Sequence, residues 1–125
     1  MPDIVQNAPL LVAGLISAVA AMVHVFMGGP EAARPLVEAR DLPEAARDTL
    51  HYAWHVVTLA LVAMTLGFLA PAFGVGSGAV LWSALAAAAA FWSVALAVLR
   101  RRPLLALPQW ALFGPIAAFG FWGSL

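Results

Sequence analysis

The chain has 125 residues, 64% of them hydrophobic and only 10% charged, with no net charge and a mean hydropathy of +0.96. A soluble domain is about half apolar and about a quarter charged, so the charges here are too few to cover a globular surface in water, and a bilayer is the solvent that suits them. The lack of cysteine excludes disulfides, thiolate metal centres and cysteine nucleophiles, and neutral charge offers no footing for nucleic acid.

The N-terminal residues 1–9 carry Asp3 and no Lys or Arg, so they lack the positive n-region of a cleaved signal peptide. Four apolar segments follow, at about 8–27, 50–70, 77–99 and 104–124. Each is about 20 residues long, enough to cross a hydrocarbon core about 30 Å thick at 1.5 Å per residue. Helices satisfy their own backbone groups in lipid, whereas an open sheet does not. The expected fold is therefore all-α, a single four-helix up-down membrane bundle.

The link 28–49 differs from the other two. It reads GGPEAARPLVEARDLPEAARDT and holds five of the six carboxylates. PEAAR occurs at 30–34 and again at 43–47. Proline followed by Glu, Ala, Ala and Arg is a helix-start composition, and Asp41 with Glu44 fits a capping box. A short interfacial helix is expected at about 30–39, with the second long helix starting near Leu42, outside the membrane. The later links, PAFGVGSG at 71–78 and RRRP at 100–103, are short and make their flanking helices antiparallel.

All six basic residues are arginine: Arg34, Arg40 and Arg47 in the first link, Arg100, Arg101 and Arg102 in the third. In a four-span chain these two links share one side. The positive-inside rule makes that side cytoplasmic and both termini periplasmic. The composition, rich in Ala, Val, Leu and Arg, fits a GC-rich bacterium and its inner membrane. Inside the bilayer, Ala84 and Ala86 to Ala90 offer a small-residue surface, and Gly114, Gly120 and Gly123 allow close approach. Pro115 is a kink site. Trp54, Trp82, Trp110 and Trp122 lie near segment ends, as an aromatic belt requires, and Trp92 lies deeper.

The three histidines fall at one depth. His24 is near the end of the first span; His51 and His55, an i, i+4 pair in LHYAWHVV, open the second. Thr58, Ser93 and Gln109 belong to the same inner layer, with Tyr52 and Trp54 at its rim. Neutral imidazole suits zinc, copper, nickel and iron. His24, His51 and His55 are thus candidate ligands for a transition metal, with Met22 and Met27 nearby as soft donors. A b-type haem between His24 and His55 is a second use of the same layer, and proton handling a third. Against these stands a structural role, in which the rings bind carbonyls, lipid headgroups or carboxylates such as Glu44 and Asp48. No carboxylate lies within a span, and Gly74, Gly76 and Gly78 punctuate a hairpin rather than opening a phosphate-binding unit.

A first span ending HVFMGG, a polar segment, a second span opening with Tyr52 before His55, and a last span reading FGPIAAFGFWG together resemble the YgdD-like family of small four-helix bacterial inner-membrane proteins. Here two residues separate the tyrosine from the histidine, where that family's pattern has three. The resemblance implies the fold and the membrane but no activity. The expectation is a non-enzymatic accessory or assembly subunit, in contact with lipid and with a larger complex or copies of itself. The alternative is a redox or transport protein holding metal or haem on the histidines.

Overall fold

The computed structural model describes residues 4–125. Its regular structure is all helical, with no strand among the described residues. Helix α1, Ala8–Val23, begins at Asn7, whose side-chain oxygen accepts from the Leu10 N–H at 3.1 Å. This satisfies one of the donors that a helix start leaves open. Pro9 follows in the first turn, where its missing N–H costs nothing.

The first helix does not stop at Met27. It widens into a π-helical stretch, His24–Ala33, and continues as α2, Arg34–Glu38. The helix expected separately at 30–39 is therefore the end of a continuous 31-residue helix, Ala8–Glu38. In α register the ring of Pro30 would press on the carbonyl of Phe26. The wider winding, seen where the Arg34 N–H reaches Gly29 O five residues back, relieves that contact and carries the chain through.

Helix α3, Glu44–Ala72, starts immediately after Pro43 and runs 29 residues. It closes in a Schellman motif: Val75 N–H donates to Ala70 O at 2.8 Å and Gly74 N–H to Pro71 O at 3.0 Å, with Gly74 at φ +80°. Helix α4, Ala79–Leu99, follows. Its end has the same pattern, Arg102 N–H to Ala97 O and Arg101 N–H to Val98 O, but Arg101 occupies the left-handed position at φ +50°.

Among the described residues, three helices are long and apolar enough to cross a membrane: Ala8–Glu38, Glu44–Ala72 and Ala79–Leu99. The last apolar segment is different. A 3₁₀ turn covers Leu104–Ala106, and α5 occupies only Trp110–Ser124, 15 residues or about 22 Å at 1.5 Å per residue. Pro108 explains the late start, since it has no N–H and its ring excludes a helix reaching back to Leu104.

Packing does not follow chain order. α1 packs on α3 and on α5, and α5 packs on α4, while α3 and α4 touch only lightly despite their short link. The centre is built from α1, α3, α4 and α5. Phe68 of α3 and Ile116 of α5 are the largest fully buried apolar side chains, and Ser17 of α1 and Ser83 of α4 are equally buried. Each serine returns its hydroxyl to the carbonyl four residues earlier, Ser17 to Ala13 at 2.8 Å and Ser83 to Ala79 at 2.7 Å. Glycines set the approach. A Cβ on Gly120 would meet Ser83 and Phe68, one on Gly67 would meet Trp82, and one on Gly14 would meet Leu69, whereas Gly114 faces open space. Ala86 is wholly buried, but Ala84 and Ala88 are exposed, so the alanine run contributes one edge to the packing.

Large apolar side chains cover the outside, among them Leu59, Leu66, Leu81, Leu85 and Phe91. Lipid, not water, is the solvent in which such a surface costs nothing. The ends are distinguished by hydrogen bonds. The N–H groups of Gln6 and Asn7 both donate to Ala72 O, and Asn7 Nδ2 donates to Gly123 O at 2.7 Å. The start of α1 and the ends of α3 and α5 are thus tied together at one end. The arginines lie toward the other, where the first helix and α3 extend beyond the bundle.

Candidate functional site

A helix of 31 residues is about 46 Å long, some 16 Å more than a hydrocarbon core. The surplus of the first helix, roughly 28–38, lies against the first turns of α3. The chain reverses between them through 39–43. Together they form a polar helical extension, and the histidines mark its base.

Trp54 locks the two helices together there. Its indole stacks on the His24 ring, with centroids 3.9 Å apart and planes 18° apart. Gly28, one turn on from His24, makes room for the ring: a Cβ at that position would sit 2.6 Å from Trp54 Cη2. His24 Nε2 lies 3.0 Å from Thr58 Oγ1 and 3.3 Å from Trp54 O. The Thr58 hydroxyl also lies 3.1 Å from Trp54 O, and its single proton can serve either that carbonyl or His24 Nε2. With the Thr58 proton on the carbonyl, a proton on His24 Nε2 serves both oxygens. His24 Nε2 thus faces two oxygens of the neighbouring helix.

His51 and His55 stand apart on the exposed face of α3. Their Nε2 atoms are 3.1 Å from each other, with ring centroids 4.7 Å apart. They line an open groove of about 350 Å³ with Gly29, Ala33, Arg34, Val37, Glu38 and Trp54. Arg34 Nε donates to Glu38 at 3.0 Å across one helical turn, an exposed pair of little energetic weight. Arg47 reaches from α3 to the Val37 carbonyl at 3.5 Å.

The inner-layer polar residues thus divide. His24 and Thr58 form an interhelical lock; His51 and His55 form a surface pair. Ser93 and Gln109 form a third group, in which Ser93 Oγ donates to Leu107 O at 2.6 Å with Gln109 Oε1 at 3.5 Å. This bond ties α4 to the stretch that Pro108 keeps out of helix. Tyr52 is 71% exposed and points away from the lock. Among the described residues no group of three metal-binding side chains comes together; the pair His51 and His55 is gathered, and His24 lies apart from it against Thr58.

Sequence reasoning placed Trp54 at the rim as an anchor and missed its role as the centre of the lock. The i, i+4 spacing of His24 and Gly28, opposite an indole, was the available signal. It also missed Arg34 and Glu38 as neighbours of the histidine pair, because a break was expected at Gly28 and Gly29. No protein-family model, curated protein or solved structure matches the chain.

Proposed function

We propose that this is a small multi-pass protein of a bacterial inner membrane, an accessory or assembly subunit that acts by docking to a larger complex. The single observation that carries this reading is the polar extension at 28–49, rising as paired helices from an otherwise lipid-facing bundle. It concentrates Glu31, Glu38, Asp41, Glu44 and Asp48 with Arg34, Arg40 and Arg47. The Trp54 lock gives it a fixed seat. In this reading α5 makes the fourth crossing, the bilayer thinning locally to match its length. The arginine side is cytoplasmic and both termini are periplasmic. The chain then has the shape of the YgdD-like proteins it resembles.

A photo-cross-linking residue at Val37, exposed in the groove, tests this in native membranes, with Leu85 on the lipid-facing side of α4 as control. Docking predicts a discrete protein adduct from position 37, absent from position 85, and lost when Trp54→Ala unseats the extension in a protein that remains helical. An adduct of twice the chain mass identifies the partner as a second copy. No adduct from position 37 overturns the reading.

A further inference from the structure

The histidine pair on α3 carries an inference that does not depend on a docking partner. Both Nε2 atoms lie 3.1 Å apart while the ring centroids are 4.7 Å apart. The rings therefore turn these nitrogens toward each other. Ligand nitrogens bind a divalent metal at about 2.0–2.1 Å, so a 3.1 Å separation corresponds to a bite angle of about 95–100°. That value falls between the right angle of a tetragonal site and the wider angle of a tetrahedral one. The i, i+4 spacing puts both side chains on one face of a single helix, so no rearrangement of the fold is needed to bring a metal to them.

We propose that His51 and His55 form a two-nitrogen site for a late first-row divalent metal ion at the base of the helical extension. Without metal, one Nε2 carries a proton and donates to the other, since two lone pairs at this distance would repel. On binding, that proton moves to Nδ1 of the same ring, and both imidazoles bind as neutral ligands. Both side chains are exposed, and no third metal-binding side chain joins them among the described residues. Water completes the coordination, so the site is open and exchangeable, unlike a closed structural centre. Copper(II) stands highest in the general affinity order for nitrogen sites, ahead of nickel(II) and zinc(II). His24 lies apart from the pair, against Thr58 and Trp54 O.

The test is titration of copper(II) into the full chain in detergent micelles, purified without a polyhistidine tag. Electron paramagnetic resonance reads the bound nitrogens. One copper per chain with coupling to two imidazole nitrogens is expected. His51→Gln and His55→Gln should each weaken binding at least about tenfold, because the second nitrogen of a linked pair binds at high effective concentration. His24→Gln should leave the spectrum unchanged, its fold checked by circular dichroism. Copper should also raise the thermal midpoint of the unsubstituted chain but not that of His51→Gln. Three results would overturn the proposal: no stoichiometric binding, binding that survives in the His51→Gln/His55→Gln double variant, or a folded His24→Gln that has lost the metal.

Discussion

Two adjacent glycines allow the Trp54 lock to be measured. Gly28 and Gly29 share one helical turn, but a Cβ at Gly28 meets Trp54 Cη2 at 2.6 Å and Cζ2 at 3.3 Å, while one at Gly29 meets nothing within 4 Å. Carbon atoms in contact prefer about 3.5–4.0 Å, so Gly28→Ala must drive the rigid indole back by about 1 Å. The ring is stacked on His24, and its retreat disturbs the bond from His24 to Thr58. Overpacking of this kind costs about 1–3 kcal/mol. Alanine also gains up to about 1 kcal/mol over glycine in a helix, but both positions share that gain. The difference between the two variants therefore isolates the clash, with Gly28→Ala about 1–3 kcal/mol less stable than Gly29→Ala. Equilibrium unfolding in mixed micelles, followed by far-UV circular dichroism, measures it. In a Trp54→Ala background the difference should vanish. Equal stability of the two variants with Trp54 present would refute the lock.

Other perturbations probe the rest of the bundle. Phe68→Ala removes a fully buried ring; in lipid the transfer contribution largely cancels, and a cavity of roughly 100 Å³ at ~24 cal/mol per Å³ predicts a loss of about 2 kcal/mol in the same assay. Asn7→Ala removes the α1 cap and the bond to Gly123, for an expected loss of about 1–2 kcal/mol. Arg101→Gly relieves a left-handed arginine and should raise stability by about 0.5–1 kcal/mol, the steric relief outweighing the greater freedom glycine gives the unfolded chain. A cysteine at Ser124 should react with a membrane-impermeant thiol reagent in cells whose outer membrane alone is permeable. Labelling only after the inner membrane is opened would reverse the proposed orientation.

Helical character and three of the long apolar helices were legible in composition and segment length, because a lipid-facing helix announces itself by what it lacks. Helix boundaries were less so. Gly28, Gly29 and Pro30 read as a terminus, yet π winding carries the helix across them. Pro108 sits inside an apolar run long enough to span, and one missing N–H shortens α5 to Trp110–Ser124. At the site, spacing correctly put His51 beside His55, since both are on one helix. It could not reveal that His24 is engaged by Thr58 and Trp54, thirty and more positions away. That pairing depends on how α1 rotates against α3, which Gly14 and Gly28 help to set by letting Leu69 and Trp54 come close. The neighbour order was hidden for a related reason: a short link sets direction, but side-chain size at Gly67, Gly120 and Gly123 governs how closely helices approach.

The ties at Gln6 and Asn7 give the molecule a mechanical polarity. Three helix ends are stapled there through Ala72 O and Gly123 O, while the paired helices 28–38 and 44–53 at the opposite end are joined through the Trp54 stack and the Arg47 contact to Val37 O. The stapled end is a fulcrum. A force or ligand acting on the extension has a long lever arm, and small movements at the base of the bundle become larger ones at its tip. Among the helix ends, backbone amides should exchange more slowly beside the staple than toward residues 39–43.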